Sequence, residues 1–261
     1  MITDFVRSFQ SEWLKKKRSL GSWLVLVGSL FTPVIVIVAR MFQHEKLPAL
    51  YSASTFWTSL WKSSWESMAV FFLPMGAILA TSLIAQIEHR NNGWKQVHAL
   101  PLSPSIIFFS KFAVILVLMV QFFVVFDLGI YFSAIVPCLL LGSVPYPRAP
   151  LPLWTFLAET SSYMVDCLPI VAAQYLLSLR FKNFLAPIGL GFLAWVGSLA
   201  ALSWRYTYLV PYGYSMLTYL HGDPRKTMVA PPLDISWLAL GYAALFVTIS
   251  YWLFLSQKQK G

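Results

Sequence analysis

Six apolar runs, each near or beyond twenty residues, leave this chain few ways to fold. They cover residues 21–40, 67–87, 106–137, 155–179, 184–204 and 235–256. A helix of roughly 20 apolar residues is what the hydrocarbon layer of a membrane requires. One water-soluble core could not hide all six. Only 11% of the 261 residues are charged and 58% are hydrophobic, against roughly 25% charged in soluble domains. The expected fold is an all-α integral membrane protein, one transmembrane domain over 1–261, in which each backbone amide is satisfied inside its own helix.

Residues 1–20 read as an amphipathic helix along the inner membrane surface. Phe5, Phe9 and Trp13 would enter the headgroup layer, while Arg7 and Lys15-Lys16-Lys17-Arg18 face anionic lipid. This basic cluster precedes a span with no small-residue cleavage site, so it reads as a topology signal and not a signal peptide. Arg40 ends the first span, and Pro33 inside it is tolerable with a kink. Trp57, Trp61 and Trp65 recur every four residues in the following loop and share one helical face. Two accounts stand for that face, a helix resting on the outer leaflet and an aromatic gate or ligand surface. The third span is longer than one crossing needs, so it tilts or extends beyond the membrane. The fifth is rich in small residues (Gly189, Gly191, Ala194, Gly197, Ser198, Ala201), a face suited to close helix packing. The aromatic stretch 205–234 is apolar for a solvated loop. Part of it is expected to dip back into the membrane, where irregular backbone survives only under a cover of protein.

With both termini inside, the inner segments carry 12 Lys and Arg, and the longer outer segments carry 7. That asymmetry satisfies the positive-inside rule. Cys138 and Cys167 fit neither a disulfide framework nor a metal-ligand spacing. No His-Glu-x-x-His, Gly-x-Ser-x-Gly or phosphate-binding loop occurs. The chain is therefore expected to be no enzyme, to hold no metal or cofactor, and to bind no nucleic acid. Two acids fall inside spans, Asp127 and Asp166. A carboxylate in hydrocarbon needs a partner, water or a proton. Each either lines a substrate path, together with Trp57 and Trp61, or bonds to near neighbours. Those neighbours are Ser161, Ser162 and Tyr163 for Asp166, and Gln121 for Asp127.

Between the second and third spans, residues 87–105 form a polar segment written differently from the rest. It offers Glu88 and Arg90, a turn at Asn91-Asn92-Gly93, an exposed Trp94-Lys95, and then Pro101 and Pro104, which stop a helix. Ser103-Pro104-Ser105 is a natural start for the next helix. Glu88 to Lys95 (EHRNNGWK), then Leu100-Pro101-Leu102-Ser103-Pro104 and Ser110-Lys111-Phe112, resembles the acidic, Trp-Lys and Leu-Pro elements of type-2 ABC exporter permeases. Gln174 to Phe184, the Pro187 to Gly191 stretch and the opening Glu12-x-x-Lys15-x-x-Arg18 are similar to the lantibiotic-immunity and bacitracin-resistance branch. Asn92-Gly93 departs from the Gly-Thr usual in the family.

The resemblance implies a six-span permease of a bacterial inner membrane. It would dimerise with a second permease chain, of the same or another kind, and be driven by separate ATP-binding subunits that hold ATP and magnesium. Glu88, Arg90, Trp94 and Lys95 would form a coupling helix seated on the ATPase, with charged bonds and a buried aromatic anchor. The cargo would be an amphipathic or hydrophobic substrate such as a peptide antibiotic. The competing reading is a self-contained proton-coupled carrier or membrane scaffold using Asp127 and Asp166. Such carriers are often built from internal repeats, and none is visible here.

Overall fold

The computed structural model describes residues 2–17, 19–87, 102–142, 144–222 and 233–258. Among them every regular element is helical. Helix α1 is Ile2–Lys16, α2 Leu20–Phe42, α3 Leu47–Ser52 and α4 Phe56–Ser67. A π-helical turn at Met68–Phe72 joins α4 to α5, Leu73–Ala85. Then follow α6 (Pro104–Leu140), α7 (Leu153–Arg180), α8 (Leu185–Ala200), the short α9 (Tyr214–His221) and α10 (Ile235–Lys258). Six helical stretches are long and apolar enough to cross a membrane: α2, Phe56–Ala85, α6, α7, Leu185–Ser203 and Ile235–Ser256.

Local chemistry sets several boundaries. Ser19 caps α2 by accepting the Ser22 amide at 3.3 Å. Ser103 caps α6 by accepting the Ile106 amide at 3.4 Å, with Pro104 first in the helix, where its missing N–H costs nothing. The 37 residues of α6 extend for about 55 Å at 1.5 Å per residue, well past one hydrocarbon layer of about 30 Å.

Burial ranks the spans. Two-thirds of the α4–α5 span and of α7 is buried, against about one-fifth of α2, α8 and α10. The second and fourth spans therefore form the centre, α7 packing on α10 and α5, while α6 packs on α2 and α1. Close approach of α2 and α6 depends on Gly129, where a Cβ would stand 2.7 Å from the Pro33 ring. Tyr51 of α3 donates from Oη to the Ala134 carbonyl at 2.9 Å.

Arg40 lies in the last turn of α2, where it donates to Tyr51 Oη (2.9 Å) and the Ser133 carbonyl (3.1 Å). Two expectations need correction. The tryptophan face does not rest on a leaflet surface. It belongs to α4, the N-terminal part of the second span, and is buried, because aromatic partners on α7 meet it ring to ring. Trp61 stacks on Phe156 with centroids 4.0 Å apart, and Trp65 on Tyr163 at 3.9 Å. The small residues of α8 also divide. Gly191 is pressed against Gln174 and Ile78, whereas Gly189 and Gly197 have open space where a Cβ would stand.

Candidate functional site

Glu88, Arg90, Trp94 and Lys95 lie outside the described residues, so the site is built from what holds the two ends of their segment. On the near side Gln86, buried at the end of α5, donates from Nε2 to the carbonyls of Ser178 (3.2 Å) and Phe181 (2.6 Å). The last carbonyls of a helix lack intrahelical partners, so one amide side chain both closes α7 and fixes where the segment leaves α5. On the far side Ser105 and Tyr251 share a hydroxyl–hydroxyl bond of 2.6 Å, joining α6 to α10. One turn on, Tyr175 Oη donates to the Phe108 carbonyl at 3.0 Å, joining α6 to α7.

A third support comes from α1. Ser8, Glu12 and Lys16 repeat at four-residue spacing and form one stripe. It meets α6 at three points: Ser8 with Ser110 (2.8 Å), Glu12 with Lys111 (2.7 Å), and Lys16 with Gln121 (2.9 Å). Lys15 adds a second bond to Glu12 at 2.6 Å. Lys111 is 2% exposed and Glu12 is 11% exposed, so this is a buried ion pair. Burial pushes the Glu12 carboxyl up, but the charges and hydrogen bonds of Lys111 and Lys15 outweigh it and leave it below its ordinary 4.5. Burial lowers the Lys16 ammonium to about 8, although its Nζ lies 3.3 Å over the Trp13 ring, which favours the charge. Lys16 thus turns inward, not toward lipid with its basic neighbours as expected. The sequence contained both halves of the Glu12–Lys111 pair, and only the fold joins them.

The intramembrane acids are not joined to each other by a hydrogen bond. Asp127 Oδ2 accepts from Thr160 on α7 at 3.0 Å. Asp166, fully buried, accepts from Thr218 of α9 at 2.6 Å and from Ser236 of α10 at 3.1 Å. It thereby pins the short helix α9 inside the bundle, where Tyr214 to Leu217 are all buried. Trp57 donates from Nε1 to the Ala149 carbonyl (2.9 Å), and Trp61 to Glu159 Oε2 (2.6 Å). These bonds close the α4 end of the bundle onto α7 and the connection before it. Among the described residues no three of His, Cys, Asp and Glu gather as metal ligands would.

The helices from α1 through α8 also carry a recognisable sequence pattern. The family model described as ABC-2 family transporter protein matches residues 8–198, close to three-quarters of the chain. The chain belongs to the ABC-2 transporter family. No curated protein matches it. Membership makes it a multi-pass membrane transport subunit of an ABC transporter, a class that works with ATP-binding subunits. The matched region begins at Ser8, the first residue of the α1–α6 stripe, and includes Gln86, Lys111, Gln121 and Gln174.

Proposed function

We propose that this ABC-2 chain is the permease half of an exporter of the lantibiotic-immunity and bacitracin-resistance kind. It pairs with a second permease chain and two ATP-binding subunits, which bind ATP and magnesium, and lifts an amphipathic or hydrophobic substrate such as a peptide antibiotic out of the membrane. Its place is a bacterial plasma membrane with both termini in the cytoplasm, which the 12 to 7 division of basic residues supports. The observation that carries the reading is the three-sided support around segment 88–101. Gln86 ties its start to α7, Ser105 ties its end to α10, and Lys111 ties the following turn to α1. A push on a segment so mounted is passed to α5, the half of the second span that leads into it, and to the third span.

Co-purification tests it. The wild-type chain in mild detergent should bring down an ATP-binding subunit, and Glu88→Ala/Trp94→Ala should lose it, since buried aromatic anchors dominate such interfaces. Retention by the double variant would move the docking site elsewhere, and no ATPase with either would remove the exporter reading.

Asp166→Asn separates this reading from a proton-coupled carrier. Asparagine keeps one acceptor for Thr218 or Ser236, so the rearrangement should cost about 0.5–1.5 kcal/mol in stability. ATP-coupled export should persist in part. Complete loss of transport in a variant that stays folded, from a chain that brings down no ATPase, would favour the carrier.

A further inference from the structure

Gln174 of α7 lies wholly inside the bundle and uses only half of its amide. Its Nε2 donates to the Pro187 carbonyl at 3.1 Å, a reach that depends on Gly191, since a Cβ there would stand against the amide. That bond fixes the amide's orientation and leaves Oε1 buried with no donor among the described residues. Three hydroxyls share this condition. Thr81 and Ser82 on α5 and Ser178 on α7, each at 0% exposure, have no hydrogen-bond partner for their side-chain oxygens. Serine and threonine in a helix often turn back to a carbonyl three or four residues earlier, as Ser161 and Ser162 do. Thr81, Ser82 and Ser178 make no such bond.

The four groups face one another. Ile78 of α5 and Gln174 of α7 both stand against Gly191. About two turns on, Gln86 donates to the Ser178 and Phe181 carbonyls of α7. The two helices therefore run side by side in one direction, with residue 78 level with 174 and 86 level with 178–181. Ile78, Ser82 and Gln86 are four apart and form one stripe, with Thr81 beside it. Thr81 and Ser82 thus meet α7 between Gln174 and Ser178. None of the four bonds to another, and the side chains at Thr81, Ser82, Ala85 and Ser178 are small, which leaves the polar atoms apart.

Each of these groups, left dry, carries its full desolvation penalty. The set holds one oxygen that can only accept and three hydroxyls that donate or accept. Water serves both kinds at once, and a buried water makes about three bonds to groups of this sort. A metal cation would need charge to offset its own, and residues 73–87 and 167–180 contain no acid. We infer that the α5–α7 seam is a binding site for buried water, about one or two molecules, bridging Gln174 Oε1 to the hydroxyls of Thr81, Ser82 and Ser178. The site lies about one turn inside the Gln86 joint, where α5 leads into segment 88–101. Bonds made through water are remade as α5 turns against α7, whereas direct bonds would hold one register. The inference does not rest on ATP coupling, so its test uses the chain alone.

Thermal unfolding of the full chain in detergent reads the site by sign. Thr81→Val, Ser82→Ala and Ser178→Ala each remove a hydroxyl and little volume. With water bound, each should lower the midpoint by about 2–4 °C. Ser82→Ala/Ser178→Ala should fall by less than its two single losses together, because both act on one shared occupant. Midpoints that hold or rise in the single variants overturn the site, since removing a dry, unpaired hydroxyl is neutral or stabilising. Strictly additive falls would give Ser82 and Ser178 separate partners and overturn the shared site. A midpoint raised by sodium or potassium over choline at equal ionic strength overturns water in favour of a cation.

Discussion

Glu12→Ala is expected to destabilise the protein by about 3–5 kcal/mol, the range for removing one partner of a buried ion pair. The magnitude follows from burial. Lys111 is 2% exposed, so its ammonium was brought out of water against the Glu12 carboxylate at 2.7 Å. Removing that carboxylate takes one of its partners from a charge that cannot regain water without α1 leaving α6. The same residue then carries a pH signature. The folded carboxyl lies below its ordinary 4.5, so its contribution is fully present above pH 4.5 and is lost as pH falls through the lowered value. The double variant Glu12→Gln/Lys111→Met should recover most of the loss, because a buried pair replaced by groups of similar size is often neutral. Thermal unfolding in detergent reads the first effect. Cross-linking of Ser8→Cys to Ser110→Cys, whose hydroxyls are 2.8 Å apart, reads whether α1 remains docked. A Glu12→Ala protein that melts with wild type and still cross-links would show that the pair contributes nothing net.

The six spans, their order and the cap at Ser103 were legible because hydrophobic length and end chemistry are local properties of sequence. Partners across the bundle were not. Of the two readings open for Asp166, a place on a substrate path or a bond to a near neighbour, the second names Ser161, Ser162 and Tyr163. A helical serine turns its hydroxyl back to a carbonyl three or four residues earlier, and both serines bond Ala158 at 2.7 and 3.2 Å. Asp166 therefore reaches across to Thr218 and Ser236, more than fifty residues on. Gln121 is six residues from Asp127, which at 3.6 residues per turn puts it on another side of α6, and it takes Lys16 instead. The tryptophan face had a similar ambiguity. A four-residue period fits a membrane surface and a buried seam equally well, and the choice was made by Phe156 and Tyr163 at matching heights on α7. Segment 88–101, where the resemblance was most specific, lies outside the described residues. The supports around it, above all Gln86 and the Glu12–Lys111 pair, had a sequence signal only as polar residues interrupting apolar or amphipathic runs.

Trp195→Phe/Ser215→Ala should orphan two carbonyls in the middle of the second span, at about 1–3 kcal/mol each. The cause is Pro74. It has no N–H, so neither the carbonyl four residues back (Val70) nor the one five back (Ala69) can use it. The helix answers with a π turn, in which the Leu73 amide reaches Met68. The two stranded carbonyls are served from other helices: Trp195 Nε1 of α8 donates to Val70 at 3.0 Å, and Ser215 Oγ of α9 to Ala69 at 2.8 Å. Phenylalanine and alanine keep much of the packing and remove only the donors. Pro74→Ala added to the double variant returns one backbone donor and should recover part of the lost stability, which a loss due to packing would not. The thermal midpoints of the three proteins decide between these. The position of the break gives it a further reading. It divides the second span between α4, locked by Trp57 and Trp61, and α5, which runs through Gln86 into segment 88–101. A span broken here and held by side chains from two other helices can bend under load without exposing backbone. With its donors removed, the same push should be absorbed at the break, so that in the assembled transporter ATP hydrolysis continues while transport falls. Equal losses of hydrolysis and transport would assign the two side chains to stability alone.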